Sequence, residues 1–504
     1  MLYSSLLTPH PYYLMIDKLR VVLAGKLPPG SFIRNVVTLM TGTTFAQALM
    51  ILVAPILTRS YSPEDFGVYA LYTSIASILT VLACWSYDYA IVLPEHDEDA
   101  ANILGLSILI CLGMAGLTLI IVTFLRYPLT EILNAPGLTI WLWCMPLSVL
   151  GAGLFKAFNY WSTRRKHFKR LAVRQVTQST ITSATQIGAG ITLNTGPGGL
   201  IGGLIVGQLA ATSRLAWQIG KDEGEFLKSC ISFKNLKRMA IRYKKFPLYD
   251  SLSGLFNMSS TMLPTLLLGY FFSPAVVGFY ALGQRVLSLP MNVIGGSIAQ
   301  VFFPQATKAD RDGELSKITL NMFERLLAIG FVPLMLIAIV APDLFALVFG
   351  ERWWTAGEYV RWMSLWVFFQ FVSSPLSTIY YVKERQRNLL LFNVVMFLLR
   401  FLVIVVGGSR GDVILTIFLL GLTGSVSYCF FAIYITYLAG IAIPQVLLSI
   451  AKQLVFGIPY CIFPLLVWYI SKSSLAFVLV AVASGFVFLF IMLKSFKKMG
   501  INTI

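Results

Sequence analysis

Fourteen apolar stretches dominate this chain, each long enough for a helix that crosses a bilayer, which takes about 20 residues. They fall at about 35–57, 67–90, 101–124, 138–160, 173–193 and 200–218. The series resumes at 248–270, 277–305, 319–341, 358–382, 389–406 and 413–437, and ends at 453–470 and 475–493. The expected fold is an all-α polytopic membrane protein of about fourteen transmembrane helices. Composition agrees: 57% of residues are hydrophobic and 12% are charged, about half the charge of a soluble domain. A soluble enzyme, a disordered chain and a nucleic-acid-binding domain are excluded.

The 39 Lys and Arg outnumber the 22 Asp and Glu, for a net charge of +17. In a soluble protein that would suggest nucleic acid; here position decides. Seven cations fall inside apolar stretches, five lie in alternate loops (Arg59, Arg126, Arg352, Arg410 and Lys472), and the remaining 27 lie on the other side. Cations collect in cytoplasmic loops, so both termini are expected in the cytoplasm. The acidic loop Glu95, Asp97, Glu98, Asp99 does not change this, since acids count little in the orientation rule. Met15, followed by an amphipathic lead-in, is the expected start of translation.

An internal repeat organises the chain. Tyr61-Ser62-Pro63-Glu64-Asp65-Phe66-Gly67-Val68-Tyr69-Ala70-Leu71 and Phe272-Ser273-Pro274-Ala275-Val276-Val277-Gly278-Phe279-Tyr280-Ala281-Leu282 share Ser, Pro, Gly, Tyr, Ala and Leu at identical spacing, 211 residues apart. The offset is six helices, an even number, so the halves are parallel repeats with a substrate site expected between them. The expected organisation is a lead-in at 1–34, an N-lobe at 35–218, a basic cytoplasmic linker at 219–247, a C-lobe at 248–437, and a C-terminal helix pair with a basic tail at 438–504. Ser62-Pro63-Glu64-Asp65 reads as a helix start, with a capping Ser, a first-position Pro and acids in the first turn.

Charges within a bilayer are expensive and usually face a cavity or a partner. Lys156, Arg174, Arg214 and Arg325 lie near helix ends, and Arg361 lies one turn in. Arg285 and Arg400 are about ten residues deep, near 15 Å at helical rise. Arg285 is followed by Pro290, Gly295 and Gly296, residues that break helices where backbone lines a cavity. Bonding to neighbouring carbonyls is the alternative for Arg285 and the simpler reading of Arg400. No acid lies equally deep, so the buried field is positive and suits an anion; arginine matches phosphate oxygens bidentately. Gln47, Asn257, Gln284 and Gln370, among other neutral polar residues of the spans, are candidates for sugar hydroxyls or for bonds between helices. No phosphate-loop motif occurs. His10, His96 and His167 all lie outside the spans, and the six cysteines show no metal spacing. No cofactor, metal site or catalytic centre is expected.

Several motifs together resemble one family. They are Leu57-Thr58-Arg59-Ser60-Tyr61-Ser62-Pro63-Glu64-Asp65-Phe66-Gly67, Tyr87-Asp88-Tyr89-Ala90-Ile91-Val92-Leu93-Pro94, Asn159-Tyr160-Trp161, Ala281 to Pro290, and Val372-Ser373-Ser374-Pro375-Leu376-Ser377-Thr378. Over about residues 31–440 the chain is similar to bacterial polysaccharide exporters, the Wzx-type flippases of the multidrug/oligosaccharidyl-lipid/polysaccharide superfamily. The resemblance implies two six-helix lobes working by alternating access in the inner membrane. It implies an undecaprenyl-diphosphate-linked oligosaccharide as cargo, for O-antigen, capsule or exopolysaccharide, and a polysaccharide polymerase as a possible partner. It also implies that cavity cations hold the diphosphate, which falls to Arg285 and Arg59; the residues read from the spans, Gln284, Gln47, Asn257, Gln370 and Arg400, are the expected cavity residues beside them. Ser86 stands where members often have Arg. The last helix pair is similar to that of lipid II flippases. The alternative function is an ion-coupled drug or metabolite antiporter of the same superfamily, which would need a membrane-buried carboxylate.

Overall fold

The computed structural model describes residues 32–498, apart from Asn194, Pro290 and 292–294. The expected start at Met15 and the Pro290 break lie outside these residues. The described residues are helical, with no strands among them. The N-lobe comprises α1 (Phe32–Ser60), α2 (Pro63–Leu82), α3 (Asp97–Ile132), α4 (Met145–Arg164), α5 (Phe168–Gly188) and α6 (Pro197–Cys230). A short α7 (Phe233–Arg242) leads to α8 (Ser251–Phe271), α9 (Pro274–Leu287), α10 (Gly296–Arg311), α11 (Leu315–Phe349), α12 (Trp354–Leu376), α13 (Gln386–Ser409) and α14 (Val413–Leu438). The pair α15 (Ile443–Ser471) and α16 (Ser474–Lys498) packs against α11.

Ten helical segments among the described residues are long and apolar enough to cross a membrane, so the chain is a multi-pass membrane protein. Helices α5, α8 and α12, with 21, 21 and 23 residues, fall outside that set. Within the stretch 277–305, α9 runs to Leu287 and α10 starts at Gly296. One expectation changes in detail. Residues 219–247, expected as a loop, are largely helical: α6 continues to Cys230 and α7 follows.

The sequence repeat has a direct structural expression. The Ser62 hydroxyl accepts from the Asp65 N–H at 3.1 Å, and the Asp65 carboxylate accepts from the Ser62 N–H at 2.9 Å, which starts α2 with a capping box. Its repeat partner α9 starts with Pro274 at its first position and packs against α2. A side chain on Gly67 would overlap the Pro274 carbonyl, and one on Gly278 would overlap the Pro63 carbonyl. Each repeat thus lays its glycine on the other's proline, the reciprocity expected of a two-fold contact.

This end of the molecule, the seam end, carries further bonds between the lobes. Trp353 Nε1 donates to the Thr58 carbonyl at 2.9 Å, and Arg352 donates to the Arg59 carbonyl at 3.0 Å. Asn134 Nδ2 donates to the Tyr270 carbonyl at 2.7 Å. The Phe66 and Trp353 rings meet edge-on at 5.0 Å. At the opposite, linker end, Ser86 Oγ lies 3.0 Å from Ser251 Oγ of α8. Ser86 therefore serves a contact between the lobes, and it holds a left-handed backbone (φ 56°) that few non-glycine residues adopt.

Candidate functional site

Small residues decide where the helices leave space. In the N-lobe, a side chain on Gly203 or Gly207 of α6 would overlap Gln186 or Thr182 of α5, so α5 and α6 close on each other. Gly42 of α1 meets the Ala172 backbone of α5, and Gly190 meets Ser60 and Tyr61. Helix α1 and the α5 region thus touch at both ends. In the C-lobe the glycines of α14 close on a different helix: Gly421 lies against the Trp362 backbone and Gly424 against the Trp366 ring, both on α12. Helices α8 and α13 converge at the seam end, where Phe271 covers Gly408. Towards the linker end they border a cavity.

That cavity has a volume of about 1040 Å³, at the top of the range of roughly 300–1,000 Å³ for small-molecule sites. Helix α8 supplies Ser253, Asn257 and Ser260; α9 supplies Tyr280 and Gln284; α12 supplies Trp366 and Gln370; α13 supplies Asn393 and Arg400; and α14 supplies Tyr428. Four of the five cavity residues expected from sequence, Gln284, Asn257, Gln370 and Arg400, therefore line one space. Gln47, on α1, is not among its lining residues. Nor are Arg285 and Arg59.

Gln284 and Arg285 are neighbours on α9 and so point about 100° apart. Gln284 faces the C-lobe cavity. Arg285 turns towards the N-lobe, where its Nη2 lies 3.4 Å from the Met50 carbonyl of α1, beside Tyr69 of α2. The carbonyl contact weighed for Arg285 is present, and it bridges the two lobes. Arg59 is exposed at the seam end. Arg400 departs from the simpler reading given to it, since its Nε–H meets no carbonyl among the described residues. Its guanidinium instead lies over the Trp366 ring, 5.3 Å from the centroid, a cation–π contact.

Three atoms around this cavity are buried without a hydrogen-bond partner among the described residues: Gln284 Oε1, Trp366 Nε1 and Arg400 Nε. Each such group costs about 1–3 kcal/mol. They comprise two donors and one acceptor, each shut off from open space in this conformation. Sequence reasoning missed Trp366 and Tyr280. The available signal was the depth of Trp366 within a span, away from the interfacial belts where Trp usually lies.

Comparisons with known proteins place this architecture. Residues 56–358, more than half of the chain, match the family described as "Polysaccharide biosynthesis protein". The succinoglycan biosynthesis transport protein ExoT of Rhizobium meliloti (strain 1021) is 24% identical over 326 residues, covering 64% of this chain and 63% of that protein. The lipopolysaccharide biosynthesis protein WzxC of Escherichia coli (strain K12) is 27% identical over 173 residues, 34% of this chain and 35% of that protein. The matched stretches thus span between about a third and just under two thirds of these relatives. The lipid II flippase MurJ, in an inward closed conformation, superposes with a TM-score of 0.68 at 12% identity, over 91% of this chain and 99% of that one. An inward-facing multidrug resistance MATE transporter gives a TM-score of 0.58 at 15% identity, over 79% of this chain and 96% of that one. At these identities the two structures establish the two-lobed fold. With a family model matching more than half of its length, the chain belongs to the polysaccharide biosynthesis protein family.

Proposed function

We propose that this protein moves a polyprenyl-diphosphate-linked oligosaccharide across the bacterial inner membrane for surface polysaccharide assembly, with both termini in the cytoplasm. The observation that carries the reading is the C-lobe cavity, which gathers Arg400, Gln284, Gln370 and Asn257 from four helices in a chain of this family. The anionic head of the cargo meets Arg400, and sugar hydroxyls exchange bonds with the surrounding amides. Arg285 stands between the lobes and follows the diphosphate as they rearrange, while Arg59 guards the seam end. The moving units are the N-lobe (35–218) and the C-lobe (248–437), joined by 219–247. In alternating access the seam of Pro63, Gly67, Pro274 and Gly278 parts as the linker end closes. A polymerase on the far side would consume the delivered repeat unit and draw transport forward.

The test is to deplete the protein from cells and extract polyprenyl-diphosphate-linked oligosaccharides. A complete, unpolymerised repeat unit should build up and surface polysaccharide should fall. Complementation with Arg400→Ala should leave that block in place at normal protein abundance. Intact surface polysaccharide without build-up in depleted cells defeats the reading.

A further inference from the structure

The segment between the lobes is a fixed, two-faced helix. The inner face of α7 is anchored to the N-lobe: Met239 is buried, and the Tyr87 hydroxyl donates to the Ala240 carbonyl at 2.9 Å. Asn102 of α3 donates to the Cys230 carbonyl at 2.9 Å and accepts from the Ser232 N–H at 3.1 Å. Arg238 pairs with Asp99 at 2.6 Å. Ile231 and Leu236 rest on Gly105 of α3. Gly105 lies about one turn inside the apolar stretch that begins near residue 101, so this packing sits at the level where the bilayer begins.

The other face has no partner among the described residues. Phe233 is 79% exposed and Ile241 58% exposed, on a helix too well tethered for either to turn inward. At 100° per residue, Phe233, Lys237, Ile241 and Lys234 share one half-turn of the surface. Lys244 and Lys245 follow immediately, and Leu248 and Tyr249, also exposed, open towards α8. Lys234, Lys237, Lys244 and Lys245 form no ion pair with a carboxylate among the described residues, whereas Arg238 and Arg242 both lie near Asp99. Apolar anchors at the depth of the first lipid carbons, with four free ammonium groups on stems long enough to reach the headgroups, are what an interfacial helix needs.

We propose that α7 docks on the membrane surface through anionic phospholipid headgroups, with Phe233 and Ile241 inserted and Lys234, Lys237, Lys244 and Lys245 paired to phosphates. Since α7 joins the lobes, the docked helix holds the N-lobe to the lipid while α8 pivots beyond Lys245. This inference is independent of the molecule transported.

The experiment places a reporter on the face. Full-length Phe233→Trp protein is reconstituted in phosphatidylcholine vesicles with or without phosphatidylglycerol, using lipids brominated on the acyl chains. Quenching is read as the difference from the parent protein, which carries its own tryptophans. The introduced indole should be quenched strongly in the phosphatidylglycerol vesicles and weakly without it. Substituting all four lysines with Gln should abolish that difference, since each lysine near an anionic surface is worth about fivefold in the docking equilibrium. Raising salt on the otherwise unmodified reporter should release it in the same direction, which tests the idea even if the quadruple variant fails to fold. Quenching that is indifferent to phosphatidylglycerol and salt overturns the proposal. So does a reporter left unquenched in every membrane, which would give this face to a protein partner.

Discussion

The two lobes share a sequence repeat, yet their fifth helices behave differently. In the N-lobe, α5 is held by α6 through Gly203 and Gly207 and by α1 through Gly42. In the C-lobe, α13 meets α8 at Gly408, while the glycines of α14 are occupied by Trp362 and Trp366 of α12. The residue 211 positions after Gly42 is Ser253, which lines the cavity. A glycine that admits a neighbouring backbone closes one lobe, and a serine facing open space marks the other. Gly42, Gly203 and Gly207 draw the N-lobe helices together, and the C-lobe helices border the cavity. Two intramembrane cations of the lobes differ, although Arg174 of the N-lobe, which lies over Phe155, has a buried Nε without a partner among the described residues, as Arg400 does. Lys156 Nζ donates to the Thr80 carbonyl at 2.8 Å, whereas Arg400 Nε has no acceptor among the described residues.

The hardest test of this contrast is to overfill both lobes. Gly207→Leu would drive a side chain into Thr182. Overpacking costs about 1–3 kcal/mol where neighbours yield, and two helix backbones in contact yield less. Loss of folded protein from the membrane, read by detergent-solubilised size exclusion, is the expected outcome. Ser253→Leu enters the cavity and should leave abundance normal while blocking export. If Ser253→Leu unfolds the protein and Gly207→Leu does not, the contrast between the lobes is reversed.

Next in size is the seam, where the two repeats pack reciprocally. Gly67→Ala and Gly278→Ala each meet the partner's proline carbonyl, so each should disfavour the closed seam by about 1–3 kcal/mol. Cysteines introduced at Glu64 and Ala275, in a background freed of the native six, should label faster in both variants, and to a similar extent. A large effect from one glycine alone would show that the seam is not a functional two-fold.

A smaller and sharper contrast lies in the buried cations. Lys156→Met removes a satisfied donor, while the Thr80 carbonyl keeps the Ala83 N–H at 3.3 Å, so thermal stability should fall by about 1 kcal/mol. Arg400→Met removes an unsatisfied donor and keeps an apolar side chain beside Trp366. Stability should hold or rise by about 1 kcal/mol, while export is lost. Thermal unfolding in one detergent, set beside export in cells, separates the two. Equal destabilisation by both changes would make Arg400 a structural residue like Lys156.

Much of this was legible in the sequence, for identifiable reasons. Apolar length gave the spans, and Ser62, Pro63 and Asp65 gave the start of α2, because both are local properties of the chain. The repeat pointed to parallel halves, although the reciprocal packing of Gly67 and Gly278 could be seen only once the helices were in place. The cavity was half legible. Polar residues within spans identify candidates, and Gln284, Asn257, Gln370 and Arg400 came together. Which way a residue faces depends on helix rotation, and that is set by packing from other helices. This is why Arg285, adjacent to Gln284, turned to the other lobe, and why Trp366 escaped notice. Helix α7 was hidden because its basic residues read as a loop, while the contacts that fix it come from Asn102 and Tyr87, well over a hundred residues away.

The smallest expected effect concerns the N-lobe. At the linker end of the N-lobe, Glu223 accepts from Trp161 Nε1 at 3.0 Å and from Arg165 Nε at 2.8 Å, and Arg164 and Arg165 share Asp97. Arg170 pairs with Asp222. His167 stands among these groups, its Nδ1 3.8 Å from Glu223 Oε1 and without a hydrogen-bond partner among the described residues. Burial holds the imidazole below its ordinary value of 6.5, helped by Arg170 and Arg165 and opposed by Glu223 and Asp222. The folded state thus prefers the neutral ring. Its contribution is present above the unfolded value and is lost as pH falls through the lower folded value. Stability should therefore decline below about pH 6.5, by well under 1 kcal/mol for a side chain this exposed, and His167→Gln should flatten the decline. The C-lobe's corresponding end relies on the single ion pair Lys383–Asp310 at 2.7 Å among the described residues, with no histidine near it, and should contribute no step in this range. If His167→Gln leaves the acid-side decline unchanged, the linker-end cluster is not its source, and the carboxylates Asp97, Asp222 and Glu223 become the groups to substitute next.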